Sequence, residues 1–266
     1  MDLPGSTVIS RTRLRYFLHR ARALGHRNAL GWKQFCELDF WRRELDSYVE
    51  WHEGRLDHLW GVPSPPEQAR VRGPDPRRNA VMAWIQTIVD EGYPSHLFLP
   101  RDYFRGERIL DVGCGPIPLA LGFADCEVYG LDQLVSEYRT LGFPMDAYPA
   151  GGRMTYVEAG AEAMPFEDDF FDAVISVNAI DHVDDLGATA REIARVLRPG
   201  GTIRIEAHYH APTVMEPWSI GDDDIVHHFG GLGVRKVRER PVAELPLIYP
   251  GTPDKTEKLV VWANRD

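Results

Sequence analysis

Ile109-Leu110-Asp111-Val112-Gly113-Cys114-Gly115-Pro116 is the stretch whose reading decides the fold. An apolar run enters a tight Gly-x-Gly turn, as a buried strand does when it feeds a ligand-binding loop. Glycines there let the backbone take positive φ and approach a ligand closely. The third glycine of a dinucleotide fingerprint is absent, and Pro118 stands in its place. Alone, the turn fits a nucleotide-like cofactor or a strand-to-helix turn that uses glycine for geometry only. About 20 residues on, Val128-Tyr129-Gly130-Leu131 ends in Asp132, where an acid accepts hydrogen bonds from ribose hydroxyls. An isolated Asp after a strand would be a turn or cap residue; paired with the glycine turn, it favours ribose.

Working outward, the chain after Arg108 alternates strand, turn and helix. Apolar strand candidates are Arg108–Val112, Glu127–Leu131, Met154–Glu158, Ala173–Val177, Thr202–Ala207, Val234–Arg240 and Lys258–Ala263. Helical stretches fit at Leu134–Leu141, Leu186–Leu197 and Asp222–Phe229. This pattern predicts an α/β fold with a mostly parallel seven-stranded sheet and helices on both faces. Ligands bind such sheets at the carboxyl ends of the strands.

Before Arg108 the periodicity is helical. Ser10 caps a helix with Leu14, Phe17, Leu18, Ala21 and Leu24 on one face and Arg11, Arg13, Arg15, Arg20 and Arg22 on the other. That basic face reads as solvated, with a nucleic-acid or membrane contact as the alternative. A second helix runs from Trp32 to Glu53 and stops at Gly54, with Trp41, Leu45, Tyr48, Val49 and His52 on a packing face. Pro63, Pro65, Pro66, Gly73, Pro74 and Pro76 then break all periodicity. A third helix is expected at Arg78–Glu91, ended by Gly92 and Pro94. Residues 1–100 thus form an N-terminal helical segment, and 101–266 a ligand-binding domain.

Bulk composition narrows the function classes. Hydrophobic residues make up 44% and charged residues 26% of the 266, an ordinary globular mix. The net charge of -10 argues against a protein built mainly to grip phosphate backbones. Cys36, Cys114 and Cys126 lack metal-ligand spacing and read as reduced thiols of a cytoplasmic protein. No metal is expected. No signal peptide or membrane span is evident.

Four motifs in order now carry a resemblance. Asp111-Val112-Gly113-Cys114-Gly115-Pro116, then Gly130-Leu131-Asp132, then Glu162-Ala163-Met164-Pro165-Phe166-Glu167-Asp168-Asp169-Phe170-Phe171-Asp172, then Leu197-Arg198-Pro199-Gly200-Gly201 resemble the class I, Rossmann-like methyltransferases that use S-adenosylmethionine. Asn178-Ala179-Ile180-Asp181-His182-Val183 also looks like the segment after the fourth strand in that family. The resemblance runs from Arg108 to Glu206. It implies that Gly113 and Gly115 pass under the methionine and ribose of the cofactor, with Asp111 and Cys114 in the same turn. It implies that Asp132 binds the ribose diol, with Gln133 and Leu134 beside the adenine. Ala161 and Glu162 match the loop that addresses the adenine amine; the Asp that many relatives carry before that Ala is Gly160 here. Asn178 falls beside the methionine and the transferred methyl. The N-terminal segment takes the place of a lid.

Methyl transfer needs alignment more than activation. A base helps when the acceptor is a hydroxyl or an ammonium. Asp181, His182, His208, His210 and Glu216 are the candidates, since they follow the fourth and fifth strands. Packing or helix capping is the plain alternative for His182. Asp222, Asp223 and Asp224 are expected to cap the following helix. The acceptor expected is a small polar metabolite: a sugar, an amino-acid derivative or a natural-product intermediate. The alternatives are an RNA or DNA methyltransferase using the arginine-rich first helix, and a non-catalytic module that senses the cofactor. A nicotinamide oxidoreductase shares the glycine turn and the Asp, but not the later motifs.

Overall fold

The computed structural model describes residues 31–89, 92–148, 154–242 and 257–265. The helix expected after Ser10 lies outside the described residues. Seven strands form one sheet: β3 (Arg108–Val112), β4 (Glu127–Asp132), β5 (Met154–Glu158), β6 (Phe171–Val177), β7 (Leu197–Tyr209), β8 (Arg235–Pro241) and β9 (Lys258–Ala263). Their order is β5-β4-β3-β6-β7-β9-β8. The first five are parallel, and β9 runs antiparallel to both β7 and β8. This is the mostly parallel, Rossmann-like sheet expected. The chain reverses its direction of travel between β3 and β6, and sheets of this kind bind ligands at the carboxyl ends of the strands beside such a reversal.

Helices cover both faces. On one, α5 (Leu186–Val196) and α6 (Asp222–Phe229) press Ile193, Val196, Ile225 and Phe229 onto Leu110, Val174, Ile203 and Trp262. Asp185 caps α5 by accepting from the Ala188 N–H at 2.8 Å. Asp224 accepts from the Gly221 N–H at 2.8 Å, so the expected acidic cap of α6 is present.

On the other face, α3 (Gly92–Leu97) sets Tyr93 and Leu97 against Ile109, Val128 and Ile175. Here the structure departs from expectation. The preceding helix, α2, spans Pro76–Ile88, and Gly92 and Pro94 begin a helix rather than end one. Proline is tolerated in a first turn, because the N–H it lacks would have no intrahelical partner there. Arg204, buried on β7, secures α3 by donating to the Leu97 carbonyl at 2.8 Å.

Upstream, α1 (Trp32–His52) and α2 pack on each other and on α4 (Val135–Leu141). Tyr48 stacks on Trp84 at 5.3 Å between centroids, and Trp51 meets Trp84 edge-on at 5.2 Å. The Trp51 indole N–H donates to the Val62 and Pro63 carbonyls at 3.1 Å. This seats a short hairpin of β1 (His58–Leu59) and β2 (Val62–Pro63) inside the proline-rich connector. No helix among the described residues is long and apolar enough to cross a membrane.

Trp84 is the common partner in that cluster. Trp84→Ala should cost about 3–5 kcal/mol, the scale of a large buried aromatic. Urea denaturation followed by far-UV circular dichroism measures it. A loss below about 1 kcal/mol would show that α1 and α2 lie outside the cooperative core.

Candidate active site

The glycine turn sits where the chain reverses. Gly113 has φ +74° and Gly115 φ +58°, both left-handed, so glycine is needed at each. A Cβ on Gly113 would collide with the Cβ of Ala179, in the loop after β6. A Cβ on Gly115 would lie 3.3 Å from the indole of Trp41 on α1. The two loops and the N-terminal helix therefore converge on this turn.

Asp132 ends β4 with 8% of its surface exposed. Its Oδ2 accepts from the Gly115 N–H at 3.0 Å and its Oδ1 from the Leu134 N–H at 2.8 Å. Burial, then the charge of Glu37, pushes its pKa up to about 7, while those two N–H groups and His182 pull the other way. Asp111 is wholly buried, and neither of its carboxylate oxygens has a hydrogen-bond partner among the described residues. Burial and the neighbouring Asp132 hold its pKa well above the carboxylate range.

Across the crevice, the five residues singled out as possible bases come together. His210 Nε2 lies 3.1 Å from Asp181 Oδ2 and 3.9 Å from Glu216 Oε2. His182 Nε2 is 3.7 Å and His208 Nδ1 4.0 Å from Glu216 Oε1. The rings of His208 and His210 are 4.4 Å apart. Asp181 is wholly buried, His208 nearly so, and the side chain of His182 keeps 24% exposure. The hydrogen bond to Asp181 raises the His210 pKa to about 9. Burial alone would raise Glu216, but the surrounding His208, His182 and His210 bring it down to about 2. Glu257, which the sequence reading did not single out, faces His208 Nε2 at 3.5 Å.

Residues 110–205 match the family model described as a methyltransferase domain. The chain is 29% identical to an O-methyltransferase of Aspergillus nomiae over 45% of its own length and 60% of that protein. It is 33% identical to the sterol 24-C-methyltransferase of Saccharomyces cerevisiae over 38% of its length and 27% of that protein. It is 34% identical to an uncharacterized methyltransferase of Mycobacterium marinum over 50% of its length and 51% of that protein. The match thus spans less than two thirds of each of these relatives.

The chain carries a class I S-adenosylmethionine-dependent methyltransferase domain. S-adenosylmethionine is the cofactor of this family, and the residues present fit it. Asp111 offers two oxygens without partners. The glycine turn presents bare backbone, and a Cβ there would meet Ala179 at Gly113 and Trp41 at Gly115. Asp132 offers a buried carboxylate beside that turn.

The remaining residues of the methyltransferase crevice have distinct placements. Cys114 packs beneath the turn: its sulfur would lie 2.8 Å from a Cβ on Gly130, and burial raises its pKa strongly. Leu134 is buried at the start of α4. Gln133 Oε1 accepts from Gln34 of α1 at 3.3 Å. Ala161 is half-buried against the core. Glu162 Oε1 accepts from the Asp184 N–H at 2.7 Å and the Asp185 N–H at 3.3 Å, which ties its loop to the start of α5. Asn178 takes φ +52°, a costly left-handed conformation at the end of β6 that Asn tolerates better than most.

Helix α1 supplies Lys33, Gln34 and Glu37, which sequence reading missed, and Trp41, which it placed on a packing face. Lys33 donates to the His182 carbonyl at 2.7 Å and pairs with Asp184. Gln34 reaches Gln133, Glu37 Oε1 accepts from Tyr138 OH at 3.2 Å, and Trp41 covers Gly115. No local pattern marks these contacts, because their partners lie far along the chain.

Asp132 generates a pH prediction. Its folded pKa, raised from 3.8 to about 7, means that the free domain loses stability as pH rises through that window and levels off above it. A ribose diol donates to the charged carboxylate. Affinity for S-adenosylhomocysteine should therefore rise with pH up to about 7 and plateau above it. At pH 8, Asp132→Ala should lower affinity by about 1.5–3 kcal/mol and flatten the slope. Calorimetry across pH measures both; an unchanged affinity in the variant would place the ribose acid elsewhere.

Proposed function

We propose that this protein transfers the methyl group of S-adenosylmethionine to an oxygen or nitrogen of a small polar metabolite. The observation that carries the reading is the pairing of two half-sites at the reversal of the sheet. The Gly113–Gly115 turn with Asp111 and Asp132 is suited to the cofactor. The cluster of Asp181, His182, His208, His210 and Glu216 is suited to a polar acceptor. The bound cofactor supplies a methyl already activated by its sulfonium.

The chain's own residues then bind, align and enclose. Asp111 and Asp132 hold the cofactor's polar groups, and Ala161, Glu162, Gln133 and Leu134 flank its adenine. Asn178 stands at the end of β6, between the two half-sites. The His and carboxylate cluster orients the acceptor and takes up a proton leaving a hydroxyl or an ammonium. Helix α1 acts as the lid, excluding water through Trp41 and through the Lys33 and Gln34 contacts. Residues 1–100 belong to that lid segment and 101–266 to the methyltransferase domain.

A polar acceptor is favoured because buried imidazoles and carboxylates need hydrogen-bonding partners. An O-methyltransferase among the relatives supports an oxygen acceptor. An RNA or DNA acceptor is the second reading, disfavoured by the net charge of -10. A cytoplasmic location is part of the proposal, on the reduced-thiol reading of the three cysteines.

Calorimetry should show binding of S-adenosylhomocysteine and none of NADH. Incubation of a cell extract with methyl-labelled S-adenosylmethionine should then label the small-molecule fraction. NADH binding without a response to S-adenosylhomocysteine would sink the cofactor assignment. Label appearing only in RNA or DNA would move the acceptor to the second reading.

A further inference from the structure

Asp181, His208, His210 and Glu216 each offer one ligand atom, and the four atoms lie within 4.8 Å of one another. A tetrahedral ion with bonds of about 2.0–2.2 Å places its ligand atoms roughly 3.3–3.6 Å apart. His210 Nε2 lies 3.1 Å from Asp181 Oδ2, just under that range, and the approaches to Glu216 are longer, 3.9 Å from His210 Nε2 to Oε2 and 4.0 Å from His208 Nδ1 to Oε1. Small side-chain rotations would bring all four onto one centre.

Three further observations go beyond proximity. His210 Nδ1 lies 2.6 Å from the Ala211 carbonyl, which can only accept, so Nδ1 carries the hydrogen. Nε2 then faces the Asp181 carboxylate at 3.1 Å, and a cation must lie between the two. That cation is a proton or a metal ion. A backbone carbonyl fixing the tautomer of a histidine is the usual support of a metal-bound imidazole. His208 lies between two carboxylates, with Nε2 3.5 Å from Glu257 and Nδ1 4.0 Å from Glu216. Finally, Oδ1 of Asp181 has no hydrogen-bond partner among the described residues, although the residue is wholly buried. Such an oxygen costs stability unless something occupies it.

We propose that Asp181, His208, His210 and Glu216 bind a divalent first-row transition-metal ion at the carboxyl ends of β6 and β7. Two imidazoles and two carboxylates, without thiolate, suit zinc, iron(II) or manganese(II). Magnesium and calcium prefer all-oxygen sets. The spacing of these residues along the chain predicts no metal; only the fold assembles the set. The ion's presence does not depend on the methyltransferase reading. Its place beside the proposed acceptor does.

The test uses the full chain, stripped with a chelator and reloaded with Co²⁺ or Zn²⁺. Mass spectrometry should find one ion per chain, and Co²⁺ should show visible d–d absorption. Asp181→Asn and His210→Ala should abolish this. Glu257→Gln should weaken Co²⁺ binding by about 10–100-fold, as loss of a supporting carboxylate does. His227→Ala, an exposed histidine on α6, should bind as the wild type does. S-adenosylhomocysteine affinity is measured on every protein as a check of folding. If a buried variant fails that check, Glu216→Gln, closer to the surface, decides. Wild-type protein that binds S-adenosylhomocysteine but no Co²⁺ overturns the metal site and leaves the cofactor reading intact; the cation between His210 and Asp181 is then a proton. Metal uptake unaltered in Asp181→Asn, His210→Ala and Glu216→Gln overturns it as well. Metal bound without any response to S-adenosylhomocysteine supports the metal site and sinks the cofactor reading instead.

Discussion

Two backbone N–H groups grip the carboxylate of Asp132, and the upper surface of the sheet is organised around that grip. Gly115 belongs to the loop after β3 and Leu134 to the start of α4, so one side chain locks two loops together. Helix α4 then carries Leu134, Val135 and Tyr138 into the core shared with α1 and α2. Tyr138 hydrogen-bonds Glu37, and Glu37 in turn raises the pKa of Asp132. The N-terminal helices are thus coupled to the acid they cover, by packing and by charge. Placing a second carboxylate near a buried one costs free energy. Retaining that cost in a packed core is consistent with a ligand that supplies donors when bound.

The other side of the crevice is held by a different device. Glu206 on β7 is wholly buried, yet Arg240 of β8 donates to it at 2.6 Å and His96 of α3 lies 3.0 Å away. Its backbone carbonyl accepts from the Asn178 N–H at 2.9 Å. One residue therefore joins β7 to α3, to β8 and to the strained end of β6. Breaking a buried, hydrogen-bonded charge pair leaves an uncompensated charge, which makes such a node rigid. His208 and His210 follow Glu206 on the same strand and inherit its register.

Strands β3, β6 and β9 were legible because the covered interior of the sheet leaves little room for polar residues. Each reads as a largely apolar run, whereas the edge strand β8 is charged and mostly exposed. Strand β7 begins at Leu197 rather than Thr202, because Leu197 pairs with Phe171 across a bulge that periodicity does not reveal. Helix α3 was illegible because Gly92 and Pro94 are breakers in most contexts, and only their first-turn position makes them acceptable. The glycine turn and the acid that ends β4 could be read from order and spacing. Asp181, His182, His208, His210 and Glu216 could be named from their position after two strands, but not their convergence. Glu216 lies in an irregular segment, and Glu257 and Lys33 reach the site from distant parts of the chain. Sequence carries local geometry well; it does not carry which distant side chains a reversal of the sheet will bring face to face.

Helix α1 bridges the loops after β3, β4 and β6 through Trp41, Gln34 and Lys33. Those loops line the mouth of the crevice. If α1 lifts as the lid proposed above, a ligand seated there exchanges with bulk water only after three contacts part and the helix leaves the core it shares with α2 and α4. One is an indole packed on glycine, one an amide pair and one an ammonium bound to a carbonyl and a carboxylate. Of these, only the last is sensitive to salt. Turnover limited by such an opening would quicken as ionic strength rises, even though the reacting centre is shielded from the ions that cause it.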